Sequence, residues 1–209
     1  MVLFGRFSRG KGPARPKATR PVLARATMAP VRKPVGPLRD RLKDIATSTT
    51  PEEAMALVLQ EVIDTLGAAA AAYCLFDPKH RALHLAAEVG ISDEGCQHLR
   101  RAREGVPIGW DMPLHSLLNR RAYLIESASR NRYVPPLVEK PASIGTVACL
   151  PVHTGELPLG SLVVVTRAPR RLDEKDVLAL EPAIRALSVL TQDLRRRAGD
   201  MWWPMRSSS

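Results

Sequence analysis

The sequence lacks the long apolar runs and the cysteine frameworks that place a chain in a membrane or in an oxidising compartment. The run from Leu66 to Phe76 has 11 residues, whereas a membrane-spanning helix needs about 20. The first residues contain no continuous apolar segment typical of a secretory signal. The cysteines are Cys74, Cys96 and Cys149, an odd number at wide spacing, which favours reduced thiols. We therefore predict a cytoplasmic protein that does not cross a membrane.

Acidic residues are absent from the first 37 positions, which hold nine Lys or Arg, six prolines and four glycines. The formal net charge of the chain is +10, and the rest of it is nearly balanced, with 22 basic and 21 acidic side chains. Like charges and prolines oppose a packed core, so we predict that residues 1–37 form a disordered basic arm. Such an arm attracts nucleic acid, anionic lipid or an acidic protein, although a partnerless solubilising extension or a transit peptide has a similar composition. The candidate polyanion-binding residues are Arg6, Arg9, Lys11, Arg15, Lys17, Arg20, Arg25, Arg32 and Lys33.

Motifs of common catalytic sites are also absent. The sequence contains no phosphate-binding motif of the G-x-x-x-x-G-K or G-x-G-x-x-G kind, and no G-x-S-x-G nucleophile motif. Cys149 and His153 are close enough in sequence to ligate a metal, but a buried thiol and an exposed turn histidine explain them more simply. The five histidines show no zinc spacing; they are His80, His84, His98, His115 and His153. We predict no metal site and no catalytic residue.

The best-defined predicted element is a helix that starts after Thr50. Thr50 suits the N-cap and Glu53 the reciprocal position of a capping box, while Pro51 fits the first turn. Gly67 fits the left-handed position that follows a helix. The predicted apolar face comprises Ala54, Met55, Val58, Leu59, Val62, Ile63 and Leu66. Apolar residues at helical spacing also predict a helix over 38–47.

Two strands are predicted on either side of a turn at Asp77–His80, because the period of the apolar pattern changes after Gly67. A short helix capped by Ser92 follows, with arginines and His98 on its solvent side. In the second strand, the residues expected to share one face are Leu83, Leu85, Ala87 and Val89.

The stretch 105–142 is irregular and carries five prolines around a short helix and one short strand. Irregular segments of this length inside a compact domain are usually functional or disordered. The aromatic residues Trp110, Tyr123 and Tyr133 favour a functional segment.

Two apolar strands separated by a polar turn are predicted within 143–166, and both faces of the first strand are apolar, as in a central strand. Val147 and Cys149 are predicted to point to one face. A last helix is predicted to be capped by Asp173 and kinked at Pro182. The residues expected on the opposite face of the first strand are Ile144, Thr146, Ala148, Leu150 and Val152, and those on the buried stripe of the helix are Val177, Leu180, Ile184, Leu187, Leu190 and Leu194.

This order of elements predicts an α+β fold. An antiparallel central sheet would carry the terminal helices on one face and the irregular helical and loop segment on the other. The predicted organisation is a basic arm over 1–37, one domain over 38–196, and a flexible tail over 197–209 that contains a tryptophan pair.

The ordered series of segments resembles a GAF domain, the small-molecule sensory fold related to PAS domains. The matching segments are the helix ending EVIDTLGA, the strand LHLAAEVGIS, the stretch RRAYLIESASRNRYVPPL, the pair of strands SIGTVACLPVHTGELPLGSLVVV, and the closing helix opened by LDEKDVLAL. The resemblance implies a fold but does not select a ligand.

The resemblance implies that the strand face with Val147 and Cys149 is the floor of a ligand pocket. Trp110, Tyr123, Arg132 and Tyr133 are further pocket candidates, because aromatic and cationic side chains suit a planar or anionic ligand. If these side chains instead fill the cavity, the domain would be a degenerate interaction module. The resemblance also implies homodimerisation through the terminal helices and output through a protein partner.

Catalysis is not expected from the resemblance. Free methionine sulfoxide reductases of the family carry clustered cysteines in the region that corresponds to 105–142, where this sequence has none. The bilin-attachment motif and the cyclic-nucleotide residue series of other members are likewise missing. The remaining alternative is an enzyme that uses Cys96 or Cys149, and rapid alkylation of either thiol near neutral pH would identify it. No cofactor is predicted.

Overall fold

The computed structural model describes residues 50–100 and 110–198. The predicted basic arm 1–37, the helix predicted over 38–47 and the tail after 198 lie outside the described residues. In chain order the elements are α1 (Pro51–Leu66), β1 (Ala70–Asp77), β2 (Ala82–Val89), α2 (Asp93–Arg100), α3 (Met112–Leu118), β3 (Tyr123–Glu126), β4 (Ile144–Thr154), β5 (Leu157–Arg167), α4 (Glu174–Ala179) and α5 (Glu181–Ala198), with 3-10 turns at Ala128–Arg130 and Pro141–Ser143.

The ends of α1 follow the predicted caps. The Thr50 hydroxyl accepts a hydrogen bond from the Glu53 amide at 3.3 Å, and the Glu53 carboxylate accepts one from the Thr50 amide at 3.1 Å. These two bonds satisfy donors that a helix N-terminus leaves unpaired. Gly67 ends the helix at φ +62°, a left-handed conformation that glycine adopts without steric cost.

The five strands form one antiparallel sheet in the order β2-β1-β5-β4-β3. The helices α1 and α5 cover one face of the sheet, and α2, α3 and the irregular segment cover the other. The predicted α+β architecture is therefore confirmed. The sheet separates two apolar clusters, which we name the helix-side core and the loop-side core.

The two cores divide the residues of each central strand by alternation. Tyr73 and Leu150 point into the helix-side core, whereas their chain neighbours Cys74 and Cys149 point into the loop-side core. Both faces of these strands are buried, which explains why the strands read as nearly continuous apolar runs.

Two β-bulges change the predicted faces. The register of β4 against β5 shifts between Ile144 and Val147, so Ile144 packs in the loop-side core and not beside Ala148. The prediction for Ile144 is therefore wrong. A bulge adds one residue to a strand and reverses the alternation beyond it.

The predicted face of β2 is wrong for the same reason. The register of β1 against β2 shifts between Tyr73 and Cys74, which pair with Ala87 and Leu85. Leu83 and Leu85 consequently face the loop-side core, whereas Ala87 and Val89 face the helix-side core.

The predicted last helix is two helices, α4 and α5, separated at Leu180. Asp173 caps α4 as predicted, since its carboxylate accepts the amides of Lys175 at 2.8 Å and Asp176 at 3.0 Å. Pro182 is the second residue of α5, where a helix has no intrahelical acceptor for the missing N–H. The proline therefore begins a new helix. The predicted stripe from Val177 to Leu194 faces the helix-side core.

Candidate functional site

The loop-side core is the candidate site because its cover combines short helices with irregular chain. Residues of β1, β4 and β5 form its floor, among them Ala72, Cys74, Val147, Cys149 and Val163. Its cover comes from Trp110, from Leu114 and Leu117 of α3, and from Leu137 and Val138. All of these side chains are buried.

A buried serine attaches α3 to the floor. The Ser116 hydroxyl oxygen lies 2.7 Å from the carbonyl oxygen of Arg121 and 2.9 Å from that of Cys149. Its single proton bridges the chain after α3 to the central strand β4. A buried hydroxyl needs such partners, because an unpaired one costs about 1–3 kcal/mol.

A second serine attaches the proline-rich connection. Ser92 donates through its hydroxyl to the Pro136 carbonyl at 2.6 Å and through its amide to the Leu137 carbonyl at 2.9 Å. The same hydroxyl accepts from the Gly95 amide at 3.1 Å, which confirms the predicted N-cap of α2. A Cβ atom on Gly95 would lie 2.9 Å from Leu137 Cα, so only glycine permits this approach.

Four predicted pocket residues belong to the loop-side core or its rim. Trp110 is 5% exposed, and Val147 and Cys149 are fully buried within the cluster. Tyr123 packs against the cluster while half-buried, and its hydroxyl accepts a hydrogen bond from Asn119 at 3.1 Å. The fold therefore brings these four residues to one side of the sheet.

Arg132 and Tyr133 do not join them. Tyr133 is 68% exposed and Arg132 is exposed. The guanidinium of Arg132 lies 4.8 Å from the centroid of the Tyr133 ring and donates to its hydroxyl at 2.6 Å. Both residues therefore lie outside the loop-side core. The sequence does not indicate whether Tyr133 faces the sheet or the solvent. The segment that carries Tyr133 is positioned by its hydrogen bond with Ser92, which is distant in the sequence.

Burial disfavours the thiolate form of all three cysteines. Burial raises the pKa of Cys74 to about 12 and raises that of Cys149 well above its usual value, with a smaller contribution from thiol neighbours. Burial also raises the pKa of Cys96. Since the thiolate is the reactive form, little of it is present near neutral pH.

A polar cluster at the β1–β2 turn was not predicted from the sequence. The Asp77 carboxylate lies 2.6 Å from His80 Nδ1 and 3.5 Å from His84 Nε2, and it accepts the Lys79 amide at 2.8 Å. Partial burial opposes ionisation, but the hydrogen bonds from His80 and the turn amides outweigh it and lower the pKa of Asp77. The Asp-Pro dipeptide predicted the turn between β1 and β2, but it did not predict that Asp77 pairs with His80 and His84. Within residues 50–100 and 110–198, no group of three or more His, Cys, Asp or Glu side chains is arranged to hold a metal ion.

His153 was predicted to be an exposed turn histidine, but it is half-buried near the end of β4. Burial and then the charge of Arg120 lower its pKa. Arg120 itself pairs with Glu156 and donates to the Gly155 carbonyl at 2.9 Å.

The helix-side core contains one buried polar contact between the sheet and α5. The Tyr73 hydroxyl lies 2.8 Å from Thr191 Oγ1, and Thr191 donates to the Leu187 carbonyl at 2.7 Å. Because Thr191 gives its one hydroxyl proton to the Leu187 carbonyl, the Tyr73 hydroxyl is the donor of the other bond, and burial raises the pKa of Tyr73, which keeps the phenol neutral. A Cβ atom on Gly160 would lie 2.7 Å from the Tyr73 hydroxyl oxygen and 2.4 Å from the Cys74 carbonyl oxygen. The phenol therefore requires glycine at position 160.

The solvent side of the helix layer carries isolated exposed apolar residues. Leu57 of α1 is 43% exposed and Val189 of α5 is 49% exposed. Polar pairs on the same helices include Gln60 with Asp64, and Arg185 with Glu181. No helix in the described parts of the chain is long and apolar enough to cross a membrane.

Comparisons with known proteins agree with this architecture. A family model of the GAF domain matches residues 48–190. The GAF domain of a phosphoenolpyruvate-protein phosphotransferase from Acinetobacter superposes with a TM-score of 0.61 at 16% identity, covering 79% of this chain and 95% of its own. A GAF domain of the same kind of enzyme from Coxiella burnetii gives a TM-score of 0.60 at 15% identity, with coverages of 77% and 94%.

An enzyme is also among the similar structures. The free methionine-R-sulfoxide reductase from Neisseria meningitidis, solved with its substrate, gives a TM-score of 0.57 at 16% identity, covering 78% of this chain and 89% of its own. Identities this low establish a shared fold and leave the chemistry of this chain undetermined. No curated protein matches the sequence.

Proposed function

The chain belongs to the GAF domain family, and on that premise we propose that it is a regulatory protein that binds a small ligand at the loop-side core. GAF domains are small-ligand sensing and regulatory modules, and the chain shares their sheet and helix arrangement. The ligand-bound state would be passed on through dimer contacts or to a protein partner.

The carrying observation is the separation of the two cores by a single sheet. The helix-side core is closed by two long helices that pack along each other, whereas the cover of the loop-side core consists of the short helices α2 and α3 and irregular chain. The cover is held by its buried apolar side chains and by the hydrogen bonds of Ser92 and Ser116, and it shares none of these contacts with α1 or α5, so it would open without disturbing the helix layer. A ligand would then contact Trp110, Val147 and Cys149.

We propose that the chain acts without catalysis. All three thiols are buried and have raised pKa values, and positions 105–142 contain no cysteine. Slow reaction of the folded protein with a thiol reagent supports this proposal, whereas one rapidly reacting cysteine contradicts it.

We propose that the dimer contact uses the solvent side of α1 and α5. Leu57 and Val189 supply apolar contact there and the intrahelical polar pairs supply a rim. Replacing both residues with Lys should convert a dimer into a monomer in sedimentation experiments. A dimer that survives both substitutions places the contact elsewhere.

A second candidate is a GAF domain that binds proteins without a small ligand. The burial of Trp110, Leu114 and Leu117 against the sheet favours it, since these side chains themselves fill the loop-side core. The cytoplasmic location and the polyanion-binding role of residues 1–37 are proposals common to both candidates.

Native mass spectrometry of the protein purified from its own host tests the ligand proposal. Wild type should carry an adduct of a few hundred daltons at fixed stoichiometry, released on denaturation. Cys149→Leu overfills the loop-side core and should abolish the adduct. The matched variant, Ala148→Val, overfills the helix-side core from the next residue of β4 and should retain it. Circular dichroism verifies that both variants fold. Bare wild-type protein with an intact dimer favours the second candidate, and equal adduct loss in both variants contradicts binding at the loop-side core.

A further inference from the structure

The exposed pair of Arg132 and Tyr133 is a surface feature that the ligand proposal does not use. Tyr133 remains 68% exposed although the Arg132 guanidinium covers part of its ring. Tyr and Arg are enriched at binding surfaces and among the residues that contribute most of the binding energy there.

The turn that presents this pair is held in place on both sides. Asn131 Oδ1 accepts the Tyr133 amide at 3.0 Å, and the Val134 amide donates to the Asn131 carbonyl at 3.0 Å. Two residues later, Pro136 is bound by Ser92, and Leu137 is buried. A surface ordered in advance loses little conformational entropy on binding.

The segment that carries the ring contains three basic side chains, Arg130, Arg132 and Lys140. Arg130 lies in the 3-10 turn just before the pair, and this turn packs against the 3-10 turn Pro141–Ser143 that follows Lys140. Among the described residues, Arg130, Arg132 and Lys140 form no ion pair with a carboxylate. Glu139 is the one acidic residue between positions 127 and 143.

These side chains offer donors and an aromatic face but few acceptors. The complementary ligand is rich in acceptor oxygens and carries a flat ring, and a nucleotide unit combines phosphate and base in one repeat. A carboxylate peptide supplies only the acceptors. A duplex hides its base faces, so the exposed ring selects a single strand.

We propose that Arg130, Arg132, Tyr133 and Lys140 form a binding surface for single-stranded nucleic acid, with a base stacked on Tyr133 and phosphates held by the basic side chains. This surface is on the folded domain and goes beyond the proposed ligand function. The basic segment 1–37 would add charge-driven attraction to the same strand without base contacts.

Fluorescence anisotropy of the full chain with a labelled 12-residue oligo(dT) tests this proposal. Tyr133→Ala should weaken binding about tenfold because it removes one stacking contact, whereas Tyr133→Phe should bind nearly as wild type. Arg130→Gln should weaken binding more than Arg196→Gln, which removes an equal charge from the exposed end of α5. Tyr133→Ala and Tyr133→Phe have the same net charge, so a difference in their affinities reports base stacking. Residues 1–37 contribute the same charge attraction to every variant.

Three outcomes would overturn the proposal. Equal affinity of Tyr133→Ala and wild type would reduce the interaction to general charge attraction. A duplex of the same length that binds as tightly as the single strand would exclude base stacking. Competition by poly-glutamate or by free thymidine monophosphate as effective as that of oligo(dT), at equal charge concentration, would assign the surface to an acidic protein or a free nucleotide.

Discussion

The two sides of the sheet are built from different kinds of chain. The helix-side core is covered by α1 and α5, whose apolar stripes are continuous in the sequence, and α1 also carries a cap at each end. The loop-side core is covered by short helices, 3-10 turns and a proline-rich connection, fastened by Ser92 and Ser116. The two layers therefore differ in how their residues are connected along the chain, and the proposed ligand site depends on this difference.

The largest expected effect comes from filling the close approach on the helix side. Gly160→Ala places a Cβ atom 2.4 Å from the Cys74 carbonyl oxygen and 2.7 Å from the Tyr73 hydroxyl oxygen. Both atoms belong to β1, and the first is backbone that cannot rotate away. We expect a loss of about 3 kcal/mol or more in the free energy of unfolding, measured by urea denaturation.

Gly155→Ala is the control for that substitution. Gly155 has φ +56° and no atom within 4 Å of an added Cβ. Gly155→Ala should lower the free energy of unfolding by only about 1 kcal/mol, because an alanine in the left-handed conformation is sterically strained. Equal losses for the two variants would mean that the contact around Gly160 is not tight.

A matched pair of leucines compares the two cores directly. Leu187 in the helix-side core and Leu117 in the loop-side core are both fully buried. Leu187→Ala should lower the free energy of unfolding by about 4 kcal/mol and Leu117→Ala by about 2 kcal/mol, because the short helix α3 and the irregular chain beside it collapse more readily into a cavity than two long packed helices do. Thermal and urea unfolding measure both. The reverse order would remove the proposed difference between the cores.

Removing the Ser116 hydroxyl should destabilise only the part of the fold around α3. Ser116→Ala leaves the Arg121 and Cys149 carbonyls without their donor and should cost about 1–2 kcal/mol. Amide hydrogen exchange should accelerate in 110–126 and remain unchanged in α1 and α5. Thr191→Val, which removes the partner of Tyr73, should have a similar cost with the acceleration in α5. Acceleration in both layers for either variant would mean that the layers unfold together.

The smallest expected effect is the dependence of stability on pH. The pKa of His153 is lowered on folding, so stability should fall as pH drops below its unfolded value of about 6.5. The pKa of Asp77 is also lowered, and its contribution should persist above its unfolded value near 3.8 and disappear as pH falls through the folded pKa. Urea midpoints between pH 7 and pH 3 measure both.

Substitutions of His153 and Asp77 show which residue causes each change of stability with pH. His153→Gln should flatten the change between pH 7 and 5, and Asp77→Asn should flatten the change below pH 4. An unaltered profile in either variant would show that the residue does not contribute.

Features that depend on a few adjacent residues, such as helix ends, could be predicted from the sequence. Thr50, Glu53 and Gly67 mark α1 because caps depend on a few adjacent residues, and Asp173 marks α4 in the same way. The faces of Ile144 and Ala87 were mispredicted because a bulge leaves no trace in an apolar pattern whose two faces are both buried.

The candidate site was predictable only in part. Val147 and Cys149 follow from strand alternation, and both lie in the loop-side core. Tyr133 belongs to a segment held by a hydrogen bond from the Ser92 hydroxyl to the Pro136 carbonyl, and these two residues are 44 positions apart. The pairing of Asp77 with His84 likewise crosses between two strands. Contacts of this kind follow from the register of the sheet and cannot be derived from spacing.

Hydrogen exchange before and after ligand removal tests most directly whether the loop-side core is the regulatory site. The protein purified from its host is compared with the same protein unfolded, dialysed and refolded. Exchange should accelerate over 110–142 in the refolded sample and change little in α1 and α5. Identical exchange in both samples, or a larger change in the helix layer, would contradict a ligand site at the loop-side core.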